Sequence, residues 1–96
     1  MKSIVYSTNA PSPIGPYSQA VQAGNTLYVS GQIAIDPITQ QLIEGGIEDE
    51  TKRVMLNIEA VLEASGFTFA NIVKTSIFLS DMKHFVLVNG IYGSYF

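Results

Sequence analysis

One long stretch of the chain, from Ile47 to Ser65, repeats apolar residues at helical spacing. Such a stripe is typical of a helix that packs on a sheet. An acidic run, Glu48–Glu50, falls in the first turn, where the helix dipole favours anions, and Gly66 stands where a C-terminal cap is favoured. The pattern therefore predicts a helix over 47–65. Its stripe is formed by Ile47, Val54, Met55, Ile58, Val61 and Leu62.

Short runs of β-branched and aromatic residues predict strands elsewhere in the chain. Gly24 and Asn25 separate two of these runs, and such a two-residue connection predicts a hairpin because both residues tolerate positive φ. In the run after that turn, Ser30 falls on the polar face. The predicted strands cover Ile4–Tyr6, Tyr17–Ala23, Thr26–Ile35 and Val73–Leu79.

A second amphipathic helix is predicted to begin near Met82, after a cap supplied by Ser80 and Asp81. Two glycines weaken it, each by about 1 kcal/mol relative to alanine. The polar segment Asp36–Gly46 is predicted to be a turn. The order strand, strand, helix, strand, helix predicts an α+β fold with two helices packed on one face of a sheet. We expect a single domain over 1–96 that is incomplete at its C-terminus, because a further strand usually closes such a sheet.

The segment from Ala10 to Ser18 is unusually stiff because three prolines within it fix φ near −65° and remove N–H donors. Gly15 permits a turn there that a β-carbon would obstruct, and the segment delivers Tyr17 to the start of the next run. A stiff loop that presents a phenol and a hydroxyl can preorganise a site. The alternative, which composition alone favours, is a rigid connector whose tyrosine packs on a core edge.

Composition limits the classes of partner. Charged residues are 14% of the 96 positions and hydrophobic residues 47%, so polar surface is too scarce to cover a free monomer, and we expect subunit contacts or a longer chain. A net charge of −3 and scattered basic residues disfavour nucleic-acid binding. No apolar run approaches the roughly 20 residues of a membrane span, so we expect a soluble cytoplasmic protein without membrane partners.

General catalytic motifs are missing. The sole histidine, His84, lies in the first turn of the second helix, where a surface role is favoured over that of a base. The chain has no cysteine, and its carboxylates have ordinary explanations as turn, cap or helix-start residues. What remains is a polar set suited to a small polar ligand, although each member also has a structural explanation. The set is Tyr17, Ser30, the Gly31 backbone and Asn89.

Taken in order, several segments resemble the YjgF or Rid family of reactive imine and enamine deaminases. The most specific features are the proline loop at 10–20 and the Ser-Gly-Gln run within Val29–Ile33. Further matches lie at 57–66, at 72–75, and at Phe85 and Val88-Asn89 before Tyr92. The resemblance covers essentially the whole chain. It implies a chorismate-mutase-like α+β fold, a homotrimer, and ligand sites in the clefts between subunits.

The same resemblance implies a reaction without a cofactor: hydrolysis of 2-imino or enamino acids, such as 2-iminobutanoate and 2-iminopropanoate, to 2-keto acids and ammonia. At matching positions Tyr17, Ser30 and Asn89 would be catalytic, while Gly31 and Phe85 would contact the substrate. Because a protonated imine carbon is already electrophilic, placing water and holding the carboxylate supplies most of what catalysis requires.

This chain departs from the family pattern in one respect. Family members continue into a further strand pair that carries an arginine, which grips the substrate carboxylate, and a glutamate, which positions water. Neither can be assigned here, and the sole arginine, Arg53, is expected on the solvated face of the first helix. The alternative is therefore a non-catalytic trimeric module that binds small carboxylates or proteins. RNA cleavage, also attributed to relatives, is disfavoured by the acidic charge and the lack of a base.

Overall fold

The computed structural model describes residues 2–96 and has an α+β architecture, as predicted. The first three strands form an antiparallel sheet in chain order, and the last two form a separate hairpin. Neither helix between residues 2 and 96 has the length and apolar character of a transmembrane segment. The elements are β1 (Lys2–Val5), β2 (Ala20–Ala23), β3 (Thr26–Val29), β4 (Ile35–Asp36), β5 (Gln41–Leu42), α1 (Ile47–Ala64) and α2 (Phe85–Gly93).

The predicted hairpin between β2 and β3 is confirmed. Gly24 has a φ of 61°, and Ala23 pairs with Thr26 across the two-residue turn. Alternate residues of the sheet then face α1 or point away from it. The inner face contributes Ala20 to the core, where it packs with Val61 of α1. The outer face carries the exposed side chains of Ile4 and Tyr28, which lie in one row on either side of Val21.

The first helix confirms the strongest expectation from the sequence, because α1 ends one residue before the predicted boundary. Met55, Val61 and Leu62 of the predicted stripe are buried. Gly66 closes the helix with a φ of 79°, and the Phe67 N–H donates to the Leu62 carbonyl at 2.8 Å. This 6→1 bond is the Schellman arrangement expected of a glycine cap. The second helix, α2, packs against α1.

Two predicted strands are too long. The strand predicted over Tyr17–Ala23 forms only over Ala20–Ala23, because β1 ends at Val5, the partner of Ala20, and supplies no neighbour for the residues before it. The strand predicted over Thr26–Ile35 ends at Val29, and Ile35 belongs to the hairpin of β4 and β5. That hairpin lies within the segment predicted to be a turn, so β5 was missed.

The strand predicted over Val73–Leu79 is wrong for this structure. Residues 72–79 pair with no strand among residues 2–96, and Val73 and Phe78 are almost fully exposed. Alternation of apolar and polar residues is a local property of the sequence. A strand also needs a neighbouring backbone with which to form hydrogen bonds. The helix predicted from Met82 is confirmed. Asp81 caps it by accepting a hydrogen bond from the Lys83 N–H at 2.9 Å, and a 3₁₀ turn, Met82–His84, leads into α2.

Candidate functional site

A cleft of about 200 Å³ lies between the proline loop and the segment that follows β3. We call it the proline-loop cleft. Three predicted site residues, Tyr17, Ser30 and Gly31, line it together. Among residues 2–96, no carboxylate, imidazole or cationic side chain lines it, and the Tyr17 phenol is the single titratable group that does. The other lining residues are Pro11, Ser12, Pro13, Ile14, Ser18, Gln19, Gln32, Ile33 and Ile35.

Tyr17 is held at the edge of this cleft by a tight turn. Its N–H donates to the Gly15 carbonyl at 3.0 Å, and Gly15 has a φ of 133°, which L side chains rarely adopt. A β-carbon on Gly15 would also lie 3.2 Å from Cε1 of the Tyr17 ring. The tyrosine is 59% exposed, and its hydroxyl makes no hydrogen bond to another residue within 2–96. The phenol is therefore available to a ligand and is not packed on a core edge.

Ser30 contributes an acceptor to the cleft. Its hydroxyl donates to the Ser18 carbonyl at 2.5 Å, and its N–H donates to the Gln19 carbonyl at 2.9 Å. The hydroxyl proton is thus engaged, whereas the lone pairs of Oγ can still accept a hydrogen bond. Because none of the residues within 2–96 that line the cleft is a general base, Ser30 lacks what a serine nucleophile needs. Apart from Gly31 and its two chain neighbours, no residue within 2–96 has an atom less than 4 Å from the position that a Gly31 β-carbon would take, so a ligand can approach this backbone.

Two buried carboxamides support the opposite walls of the cleft, and sequence reasoning missed both. Gln19 is 3% exposed, and its side chain hydrogen-bonds to the backbone of Ser7 and to the carbonyls of Ala10 and Pro11 at the start of the proline loop. Asn57, on α1, is 0% exposed, and its Nδ2 donates to the carbonyls of Ile33 at 3.1 Å and Ile35 at 2.9 Å. Asn57 lies between Val54 and Val61 on the apolar stripe, and a polar residue at such a position could have identified it.

The sole arginine belongs to this supporting layer. Arg53 is half-buried, and its Nε donates to Oδ1 of Asn57 at 3.1 Å. The expectation of a solvated face for Arg53 is therefore wrong, because the side chain is half-buried and bonds the buried amide of Asn57 one turn further along α1. Arg53 does not line the proline-loop cleft. Its guanidinium therefore supports Asn57, which in turn holds the segment after β3.

The other two predicted site residues lie elsewhere. Phe85 and Asn89 of α2 line a smaller cleft of about 110 Å³, which we call the α2 cleft. It shares no lining residue with the proline-loop cleft, and His84 lines neither cleft. Within residues 2–96 no group of three His, Asp or Glu side chains could hold a metal ion. A single chain therefore brings together three of the five predicted residues. The other residues of the α2 cleft are Ile77, Leu79, Met82 and Val88.

Comparisons with known proteins agree with this fold. Residues 7–96 match the family described as Endoribonuclease L-PSP. A RutC family protein from Pyrococcus horikoshii is 47% identical over 96 residues, which cover 100% of this chain and 76% of that protein. The 2-iminobutanoate/2-iminopropanoate deaminase of Mus musculus is 46% identical over 96 residues, covering 100% of this chain and 71% of the mouse protein. The crystal structure of a Rid-family protein from Yersinia pestis is 49% identical, with a TM-score of 0.97 over 100% of this chain and 76% of that one.

These likenesses and the architecture define an α+β protein of the L-PSP type. The chain belongs to the YjgF/Rid family, as its resemblance predicted. Relatives bear different functional names: one is named as an imine deaminase, another only as a RutC family protein, and the family description is that of an endoribonuclease. Family membership alone therefore leaves the reaction of this chain to be argued from its clefts.

Proposed function

We propose that this protein hydrolyses 2-imino and enamino acids to 2-keto acids and ammonia. The observation that carries the proposal is the proline-loop cleft, where an unpartnered phenol, a serine acceptor and an open glycine backbone surround one small volume. At about 200 Å³ the cleft is smaller than the roughly 300–1,000 Å³ of sites for drug-sized molecules, so it suits an acid of a few carbons. The name of the mouse relative supports the same substrate class.

The proposed chemistry needs no protein nucleophile. Water adds to the carbon of the protonated C=N bond, a proton moves to nitrogen, ammonia leaves and a carbonyl remains. The Tyr17 hydroxyl can hydrogen-bond the attacking water, and Oγ of Ser30 can accept from that water or from the iminium N–H. The Gly31 backbone can approach the substrate because no side chain fills the space beside it. Positioning of this kind accounts for a large share of catalysis when the electrophile is already activated.

Turnover by the wild-type protein tests this proposal. A pyridoxal-phosphate-dependent dehydratase acting on threonine generates the imino acid in the assay, and the appearance of 2-ketobutanoate is followed. We expect the initial rate of keto-acid release to rise in proportion to added protein, and the heat-denatured protein to have no effect. If added native protein leaves the rate at the spontaneous value, the deaminase proposal is wrong.

The site extends, in this proposal, across the boundary between two subunits of a homotrimer. Two features support association: the exposed apolar row that includes Ile4 and Tyr28, and a charged content of only 14%. Phe85 and Asn89 would then enter the proline-loop cleft of a neighbouring subunit, since the α2 cleft and the proline-loop cleft share no residue within one chain.

Subunit mixing distinguishes a shared site from a site within one chain. Tyr17→Phe and Asn89→Ala variants are co-expressed with different tags, and mixed oligomers are purified through both tags. If the site is shared, each trimer that contains both variants has one boundary of its three at which an intact Tyr17 meets an intact Asn89, and activity recovers to about a third of the wild-type value. A site within one chain would give only the mean of the two variant rates.

A second candidate function is a non-catalytic module that binds small carboxylates. The observation in its favour is that, among residues 2–96, no charged side chain lines either cleft, so no acid, base or cation is present there to assist catalysis, whereas the Tyr17 hydroxyl can still donate a hydrogen bond to a carboxylate. This alternative predicts saturable binding of 2-ketobutanoate, measured by calorimetry, without acceleration of imine hydrolysis. Endoribonuclease activity has less support, because the net charge is −3 and His84 lies outside both clefts.

A further inference from the structure

We propose that Gln19 is a positioning residue, which fixes the proline loop and thereby sets the place of Tyr17 in the reaction. The effect on catalysis rests on the proposed function, whereas the holding of the loop rests only on the hydrogen bonds of Gln19. Oε1 accepts from the Ser7 N–H at 2.6 Å. Nε2 donates to the carbonyls of Pro11 at 2.9 Å, Ser7 at 3.0 Å and Ala10 at 3.3 Å. All four partners are backbone atoms: two belong to Ser7, which precedes the loop, and two are the carbonyl oxygens of Ala10 and Pro11, its first two residues.

The loop needs an external partner of this kind. Its prolines have no N–H, so the backbone from Ala10 to Ser18 cannot form a regular ladder. Buried carbonyls such as that of Ala10, whose residue is 1% exposed, still require donors. A primary carboxamide offers an acceptor and two donors on one rigid plane, which neither a carboxylate nor an ammonium group can do. Gln19 therefore supplies hydrogen bonds that the loop cannot form by itself.

The same residue connects the two walls of the cleft. The backbone carbonyl of Gln19 accepts from the Ser30 N–H at 2.9 Å, while its side chain holds the loop that ends in Tyr17. Ser30 and Tyr17 thus take their relative position from one residue that stands directly before β2. A misplacement of about 1 Å can lower a rate by about 100-fold, so loss of this connection is expected to act on catalysis.

The first test is Gln19→Met, which keeps the length of the side chain and removes its hydrogen bonds. We expect the Ser7 amide to lose its protection against hydrogen exchange, while the amides of α1 remain protected. We expect kcat for imine hydrolysis to fall by about 100-fold with little change in KM, because the interaction lost is one that orients the transition state. Gln22→Met is the matched control. Gln22 stands on β2, where its amide makes one exposed bond to the Gly24 carbonyl, and we expect neither readout to change.

The second test is Gln19→Glu, which separates positioning from filling of space. The protonated carboxyl can accept from Ser7 and donate to one carbonyl, whereas the ionised form would face three carbonyl oxygens in a buried site. We expect burial and those oxygens to raise the pKa of the introduced carboxyl, so that its protonated form persists to higher pH than that of an exposed glutamate. We expect the ratio of variant to wild-type kcat to increase as the pH is lowered. A side chain that only filled space would give a ratio near one at every pH.

Retained Ser7 protection in Gln19→Met, or an unchanged kcat in the folded variant, would overturn the role of Gln19. The proposed reaction fails separately. If the wild-type protein does not accelerate imine hydrolysis, the deaminase proposal is lost, and hydrogen exchange at Ser7 still decides whether Gln19 holds the loop.

Discussion

Replacing Tyr17 by phenylalanine is expected to lower kcat/KM for imine hydrolysis by about 100-fold, which is typical of the loss of a group that transfers or positions a proton. The ring and its contact with Gly15 are retained in this variant, so the fold of the loop is preserved. Only the hydroxyl, which has no partner among residues 2–96, is removed. The effect is measured from initial rates of keto-acid formation over a range of imine fluxes.

Tyr28→Phe is the control for this experiment, because Tyr28 is also exposed but lies on the outer face of the sheet and lines neither cleft. Its hydroxyl is expected to contribute nothing to turnover. If Tyr17→Phe retains the wild-type rate, the assignment of Tyr17 to the site is wrong. If the fraction of Tyr17→Phe that is unfolded at the assay temperature accounts for its loss of activity, Tyr17 has a structural role.

Replacing Asn57 by alanine is expected to lower the free energy of unfolding by about 3 kcal/mol, because two hydrogen bonds inside the fold are lost and backbone carbonyls lose a buried donor. The Arg53 Nε–H also loses its acceptor. For a domain of this size such a loss lowers Tm by on the order of 15 °C. Thermal and urea unfolding followed by circular dichroism give both quantities.

Glu63→Ala provides the comparison for Asn57→Ala, since Glu63 is an exposed position on the same helix. We expect it to change stability by less than about 0.5 kcal/mol. Equal stability of the two variants would mean that the bonds of Asn57 to Ile33 and Ile35 contribute no more than a surface contact. The fixed position of the segment after β3 would then need another explanation.

The elements that could be predicted from the sequence are those with local causes. The apolar stripe of α1, the glycine that ends it, the Gly24-Asn25 turn and the Asp81 cap each depend on residues within a few positions of one another. The limits of the short strands depend instead on where a partner strand ends, and that information lies elsewhere in the chain. This is why β2 begins at Ala20 and why residues 72–79 form no strand in this structure.

Part of the cleft could have been found from the hairpin alone. A two-residue turn at Gly24 and Asn25 fixes the pairing register, and extending that register by one residue beyond Ala20 and Val29 brings Gln19 opposite Ser30. Tyr17 and Gly31 are then close neighbours of that pair. The burial of the Gln19 carboxamide could not be predicted in this way, because it depends on how the proline loop folds back over its own end.

The hydrogen bonds of Gln19 also bear on how this loop can change during evolution. Their partners are backbone atoms, so these bonds do not depend on which side chains the loop carries. Ile14 is one such position, since it is exposed and lines the cleft. Mutations at those positions can reshape the cleft for another acid while the path of the loop is preserved. A library that varies Ser12 and Ile14 but keeps Gln19 would therefore search for new specificities among folded proteins.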